Sequence, residues 1–570
     1  MEYGYFDDRA KEYVITNPKT PSDWKNYPGT DRYSMEVTNN AGGRGFIRSE
    51  DQNEVLKDRY VYIRDDDDLD FWSASWQPVG KDFKDYRSIC RHGLGYTKLY
   101  ASYSGIHSEV LYYVPVDADY EVWAVNVENH SKRPRNLTVT GFCSFPSKNA
   151  SDDSPYAVFT TRTLYENNKL RHQIFSNLTE DAERSDGKKL IERFLGLSGT
   201  EVSSYCGDKD TFFGTYGDLR APQGIVSGDA GDELSYASEA VGALSYKITL
   251  EPGESSVVCF IAGLKSDAES TEIIRHYEVH TRETVTKELK ELRAFWAKRL
   301  SAFEVQTPSA EFNRMVNVWN PYTCIAGWEI SDISQLLPNL AELRDDGWYS
   351  EALDEMLDGY ADDRGKKALD RIKENRNTAF GAVSLDPPCE ADDDSEEALY
   401  NPGVRGNGGI FSQSQGRLIL AEALLGNGDD AFMFYEESAP AAQNRKADTR
   451  KTEPYAYSEF TEGKYSPNFG RSHGSWNAKA AGVIETACIE GICGIRPDDK
   501  GLYISPSIYS EWTEFTIHMS FMGHSLCIQV KNPGHRQSGI EKMTLNGKAV
   551  EGCYISEEKM TENNDIIVYL

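Results

Sequence analysis

No run of 18 apolar residues occurs in this sequence, so no segment has the length and uniformity of a membrane-spanning helix. The amino-terminus, "MEYGYFDDRAKEY", lacks the basic stretch and apolar core of a secretory signal, which leaves the cytoplasm as the expected address. Positive charge is in short supply: 61 Lys and Arg stand against 91 Asp and Glu, a net charge of −30. A field of that sign repels phosphate backbones, so neither nucleic acid nor a membrane is an expected partner, although a local basic pocket is still allowed. There is no CxxC pair. The ten cysteines are scattered, and the closest two are Cys488 and Cys493. That spacing gives no zinc framework and reads as reduced, packed thiols. The acidic run "RDDDDLD" (64–70) lacks the Gly and terminal Glu of a calcium loop, so it is expected to be a solvated turn. No metal and no resident cofactor is expected.

Aromatic residues, by contrast, are plentiful. They make up 12% of the chain, with 33 tyrosines, enough for large cores and for sheet faces with a polar tip on each ring. Residues 1–270 read as strands. "RYVYIRD" (59–65), "YTKLYASYSGIHSEVLYYVP" (96–115), "YEVWAVNVEN" (120–129) and "RNLTVTGFCSF" (135–145) alternate apolar and polar positions over much of their length. "SYKITLEPGESSVVCFIAGL" (245–264) reads as two strands around a Pro-Gly turn. Runs of strands without interleaved helices argue for a large antiparallel sandwich.

The period changes over 271–304, where Val285, Leu289, Leu292 and Trp296 follow at helical spacing and give linker helices. Residues 305–500 stay helical but loop-broken. Thr307-Pro308-Ser309 caps a first helix. Further helices are expected at 332–344, 347–358, 363–375, 412–426, 428–437 and 476–493, around a long acidic loop at 376–409. Residues 501–570 return to strands, with Asn546-Gly547 as a hairpin turn. The expected fold is α+β and multidomain: N-terminal β-sandwich, linker helices, a shortened (α/α)-type helical domain and a small C-terminal β-sandwich.

Several words carry a more specific likeness. "NNAGGRGF" (39–46), "YVYIRDDDDLDFWSASWQPV" (60–79), "RHGLGYTKL" (91–99), "EPYAYSEF" (453–460) and "GIRPDDKGLYISPSI" (494–508) resemble the disaccharide phosphorylases of glycoside hydrolase family 94. Within it they look most like the N,N′-diacetylchitobiose phosphorylases, then the cellobiose phosphorylases. The resemblance implies an (α/α)6 barrel, a homodimer, and cleavage of a β-linked disaccharide by inorganic phosphate with inversion. Phosphate would be a co-substrate only in an active enzyme.

The resemblance also implies a set of chemical parts. One carboxylic acid protonates the leaving oxygen, and charged and hydroxyl donors hold the phosphate in line. The family's acid lies in a word Ala-Asp-Trp-Asn-Asp-Cys that this sequence does not contain, and its Gly-Tyr-Arg-Asp word is absent as well. The chain skips much of the barrel. Where the family carries a phosphate-binding His, this chain has Gln413. Where it carries Thr and Gly of Trp-Leu-Thr-Gly-Thr, this chain has Ala478 and Lys479. Glutamine donates a hydrogen bond but brings no charge. Lys479, with Arg417, offers a way to rebuild an anion site of different geometry. Glu453 and Tyr457 match positions that shape the family's sugar site, and they read equally as packing residues at a helix start. His92, in "RHGLGYT", reads as part of a sheet signature.

These departures lead to a catalytically deficient relative that binds sugar or acts as a partner or regulatory protein. It would do so as a homodimer or beside an active family member. The alternative is an active inverting phosphorylase or hydrolase on a chitobiose- or cellobiose-like disaccharide. Its replacement acid would be Glu329, Asp332, Asp345, Asp346 or a carboxylate of 390–397. A shortened gene product with an incomplete helical domain is the third reading.

Overall fold

The computed structural model describes residues 2–48, 54–146, 160–176, 189–326, 362–390 and 395–570. The chain divides into two compact units, Tyr3–Trp296 and Ala297–Leu570, the latter with Met1–Glu2.

The alternating words of the first unit become two large sheets. The ten-stranded sheet runs, by order of neighbours, through Gly4–Asp7, Glu12–Ile15, Arg87–Gly93, Tyr96–Tyr103, Ile106–Tyr113, Tyr120–Asn129, Ser255–Leu264, Lys189–Ser198, Lys169–Ser176 and Thr160–Glu166. The seven-stranded sheet contains Ser204–Asp208, Ala240–Leu250, Arg135–Ser144, Glu54–Asp65, Arg44–Ile47 and Tyr33–Met35, with Asp70–Ser73 beside Glu54–Asp65. The Pro252-Gly253 turn joins two strands as read, but they do not pair with each other. Ala240–Leu250 pairs with Arg135–Ser144, whereas Ser255–Leu264 pairs with Tyr120–Asn129. The turn therefore carries the chain from one sheet to the other, with Gly253 at φ 82° supplying the left-handed step. Two short helices, Lys209–Phe213 and Gln223–Ser227, interrupt the strands; at five residues each they are too short to show a periodic stripe.

A charge sits at the heart of the sandwich. Arg59 comes from one sheet and Glu121 from the other, and both side chains are 0% exposed. Nε and Nη2 of Arg59 donate to the two carboxylate oxygens at 2.8 and 2.9 Å. Tyr33 Oη and Trp123 Nε1 donate to the same carboxylate at 2.8 and 2.6 Å. Gly45 is required here by space: a Cβ would lie 2.3 Å from Tyr33 Oη and 2.5 Å from Glu121 Oε2.

The acidic 64–70 run closes a turn whose carboxylates are spent locally. Asp65 holds the guanidinium of Arg135, and Asp68 that of Arg133. His92 is fully buried between Thr97 Oγ1 (2.9 Å) and the Trp24 carbonyl (3.2 Å), and burial pushes its pKa down to about 3. Neutral at every physiological pH, it is a sheet residue. The linker helices are Asp267–His276, opened by a Ser266/Glu269 capping box, and Thr281–Leu300.

The second unit begins with a strand that the sequence did not announce. Phe303–Gln306 pairs with Glu514–Phe521 and becomes the edge of the C-terminal six-stranded sheet. Ser309 then caps Ala310–Arg314, a π-helical turn follows, and Asn320–Ala326 completes the segment. The helices expected at 332–344 and 347–358 lie outside the described residues. The others stand at Asp362–Arg371, Ser412–Leu424, Gly428–Ser438 and Ala478–Thr486. The Asn546-Gly547 hairpin forms as read, with φ of 50° and 78° joining Lys542–Leu545 to Lys548–Val550. Among the described residues no helix is long and apolar enough to cross a membrane. All ten cysteines are free thiols.

Candidate functional site

Three sequence neighbourhoods singled out above, around Gln413, Tyr457 and Ala478, meet in the second unit because a small sheet gathers them. Ile410–Phe411 pairs with Phe460–Thr461, which pairs with Ser472–His473. The first strand runs directly into the Ser412–Leu424 helix, and the third leads to the Ala478–Thr486 helix. The middle strand ends the "EPYAYSEF" word. Its backbone ties both helix starts: Ser412 N donates to the Glu459 carbonyl at 3.1 Å, and Asn477 N to the Tyr457 carbonyl at 3.0 Å.

The two helices run side by side in the same direction. At Gly416 a Cβ would lie 2.8 Å from Val483 Cγ1 and 3.0 Å from the Ile484 amide nitrogen; at Gly491, further along, it would meet Ala423 and Leu420. The register 416 with 483–484 and 420–423 with 491 places both amino-terminal ends together. Gly416→Val is therefore expected to cost about 3 kcal/mol of stability by overpacking this contact, read as a drop in denaturant midpoint.

First-turn amides of two parallel helices at one end make a place where an anion is electrostatically welcome. Part of that donor capacity is already used. Asn477 Oδ1 accepts from Ala480 N at 2.8 Å as an N-cap, and Ser412 N is spent on Glu459. The side chains add little. Gln413 is half-buried and makes no side-chain hydrogen bond among the described residues. Ala478 offers a methyl group, and Lys479 is exposed with no ion-pair partner among the described residues. Arg405, a cation beside the middle strand, is engaged with Glu459 Oε1 at 3.4 Å and lies over the Phe460 ring. Trp476, just before the cap, holds φ 62°, a left-handed conformation that a bulky residue adopts only under constraint.

Beneath this end lie the sugar-site candidates. Glu453 and Tyr457 are 2% and 1% exposed. Burial pushes the Tyr457 phenol well up, and its hydroxyl has no hydrogen-bond partner among the described residues. Arg450 is buried beside them, and loss of solvent lowers its pKa to about 10. The replacement acids Glu329 and Asp332 lie outside the described residues, as do Asp345 and Asp346. Among the described residues no group of three or more His, Cys, Asp or Glu side chains is placed to hold a metal ion.

Two residues here escaped the sequence reading. Gln415, in the same word as Gln413, is buried and clamps Ala382, accepting from its N–H at 2.8 Å and donating to its carbonyl at 3.0 Å. It fastens the end of the acidic loop to the helix start. Glu485 stands on the Ala478–Thr486 helix and accepts from Asn320 Nδ2 at 3.0 Å. It retains some accessible surface, yet the surrounding protein strips its solvation enough to raise its carboxyl to about 8. Two Glu residues, Glu485 and Glu490, in the apolar run "AKAAGVIETACIEGICGI" were the available signal.

Comparison with known proteins places these features in a family. The profile of the glycosyl hydrolase 94 supersandwich domain matches residues 11–280, and that of the glycosyl hydrolase 94 superfamily catalytic domain matches residues 349–494. The N,N′-diacetylchitobiose phosphorylase of Vibrio proteolyticus is 24% identical, with all of both chains covered. The solabiose phosphorylase of Paenibacillus borealis is 21% identical over 96% of this chain and 97% of its own. The Vibrio alignment extends over 814 positions against the 570 residues here, so that relative carries internal stretches without a counterpart in this chain. Among solved structures, a human-microbiome protein assigned as a kojibiose phosphorylase superposes with a TM-score of 0.55 at 8% identity, covering 98% of this chain and all of the other. That last likeness is one of fold.

Proposed function

This chain belongs to the glycosyl hydrolase 94 superfamily, and from that premise we propose that it is a saccharide-binding member that does not phosphorolyse what it binds. The observation that carries this reading is the pair of helix ends at 412 and 478. A phosphate dianion there meets a neutral amide at Gln413 and a methyl group at Ala478, with one solvated ammonium at Lys479. A surface lysine lacks the fixed, desolvated geometry that lets a donor stabilise a transferring group. The general-acid word is missing from the sequence as well. Losing such an acid alone typically lowers a rate by about 10²–10⁴.

The buried trio Arg450, Glu453 and Tyr457 supports retention of sugar binding. The Tyr457 hydroxyl, without a partner among the described residues, is a donor held at a cost unless something uses it. The ligand class is a β-linked disaccharide or its monosaccharide, chitobiose- or cellobiose-like, and the name of the Vibrio relative supports the first of these. The assembly that goes with this reading is a dimer, of two copies or with an active family member.

Calorimetric titration with N,N′-diacetylchitobiose and with cellobiose, with and without excess phosphate, tests the reading. Sugar binding that is indifferent to phosphate, and weakened ten-fold or more (about 1.4 kcal/mol) in Tyr457→Phe, is expected. Binding that strengthens markedly when phosphate is present would contradict it.

A further inference from the structure

The Tyr3–Trp296 unit has a cavity of its own, of about 760 Å³, formed between the turn after Asn39 and the loop after Phe213. That size falls in the range of small-ligand sites, roughly 300–1,000 Å³. One rim is the turn Ala41-Gly42-Gly43, three successive residues at φ 66°, 69° and 76°. It is held by Arg59, which spends Nη1 on the carbonyls of Glu36 and Gly42. Space forbids larger side chains at both glycines. A Cβ on Gly42 would lie 2.7 Å from Tyr60 Oη, and one on Gly43 2.0 Å from the Glu36 carbonyl oxygen. The opposite rim is pinned by Tyr62, whose hydroxyl donates to the Leu219 carbonyl at 2.8 Å.

Among the described residues the lining offers one buried acceptor without a partner, Asn40 Oδ1, and two carboxylates without a counter-ion, the exposed Asp23 and the half-buried Asp58. Asn40 is 8% exposed; its Nδ2 donates to the Pro18 carbonyl, but Oδ1 is buried and has no partner among the described residues. The carboxylates of Asp23 and Asp58 make no ion pair among the described residues, and Asp58 is held at φ 55°. Both carboxylates act on the Tyr60 phenol, whose pKa burial raises first and their charges raise further. The rings of Tyr60 and Phe213 supply apolar wall. An anion is unsuited to this rim of carboxylates. A simple cation is unsuited to a cavity whose lining also carries Lys25, Lys209 and Arg220. A ligand with many hydroxyl donors and an apolar C–H face satisfies the orphan acceptors and the rings together.

We propose that this cavity is a saccharide-binding site in the sandwich unit, separate from the helix ends of the second unit. Hydroxyls of a neutral sugar donate to Asn40 Oδ1 and the Asp58 carboxylate while a ring face lies on Phe213.

The experiment is calorimetric titration of the full chain with cellobiose and with N,N′-diacetylchitobiose. It compares the unaltered protein with Asp58→Asn, Tyr60→Phe and Phe213→Ala, each first matched for melting temperature. Asn tolerates the left-handed backbone of position 58, and Tyr60→Phe keeps the ring, so at least one variant retains the fold. A binding component that weakens ten-fold or more in Asp58→Asn and Phe213→Ala is expected. A component in the helical unit is untouched by these substitutions, so failure of that reading leaves this one standing. Isotherms indistinguishable between the unaltered protein and folded Asp58→Asn or Phe213→Ala would overturn the proposal, with Tyr60→Phe as the variant that keeps the apolar wall. So would a titration in which neither sugar binds the unaltered protein, or one in which spermidine displaces the sugar.

Discussion

Replacing Glu121 with alanine is expected to destabilise the sandwich unit by about 3–5 kcal/mol. The size follows from what is left behind. Arg59 is fully enclosed, and its guanidinium would remain charged in an apolar interior without its counter-ion. Tyr33 Oη and Trp123 Nε1 would lose their acceptor in the same step. The damage also spreads to the rim of the sandwich cavity, because Arg59 holds the Gly42 carbonyl. Scanning calorimetry of the full chain, following the transition of the sandwich unit, reads the effect. A shift corresponding to less than about 1 kcal/mol would mean that water reaches the pair, since exposed ion pairs have that worth.

The second large effect depends on pH. Glu485 titrates near 8 in the folded chain against an ordinary 4.5. Below 4.5 the folded and unfolded chains both hold the proton, and Glu485 costs nothing. Between 4.5 and 8 the unfolded chain releases it while the folded chain keeps it, so stability falls as pH rises. Above 8 the full penalty is present. Its ideal size is about 5 kcal/mol, and the residual accessible surface reduces that to roughly 2–4 kcal/mol. Glu485→Gln keeps the acceptor for Asn320 and removes the charge. It is expected to stabilise the protein by that amount at pH 9 and to be nearly neutral at pH 5, as read by urea midpoints at the two pH values. Equal effects at both would contradict the burial of this carboxyl.

Much of the fold was legible because its signals are local. Period-two words became strands, the Ser309 cap opened a helix, and Asn546-Gly547 made its hairpin. What was not legible depends on distant partners. The Pro252-Gly253 turn specifies a reversal but not whether the two strands pair, and here each finds a different sheet. Phe303–Gln306 is four residues long and gains its strand character only from Glu514–Phe521, some two hundred residues away. Neither Arg59 nor Glu121 looks unusual in its own strand; the pair exists only when the sheets stack.

The same division holds at the helix ends. Gln413, Ala478 and Lys479 were identifiable by their words. That their helices are parallel and share one end follows from Gly416 and Gly491, whose missing side chains set the contact. Gln415 and Gln413 are chemically alike in the sequence, and only packing makes one a buried clamp on Ala382 while the other stays half-buried without a side-chain hydrogen bond among the described residues. The cavity between Asn40 and Phe213 was invisible from sequence, because its lining comes from segments far apart in the chain.

The most direct measurement of the central claim is sugar 1-phosphate production from N,N′-diacetylchitobiose or cellobiose with saturating phosphate, run beside the Vibrio proteolyticus relative. With N,N′-diacetylchitobiose the expected rate is at least about 10⁴-fold below the relative's, and with cellobiose no release above background is expected. Release of sugar 1-phosphate at a rate comparable to that enzyme would contradict the claim, and with it the assignment of Gln413, Ala478 and Lys479 to a site that no longer grips phosphate.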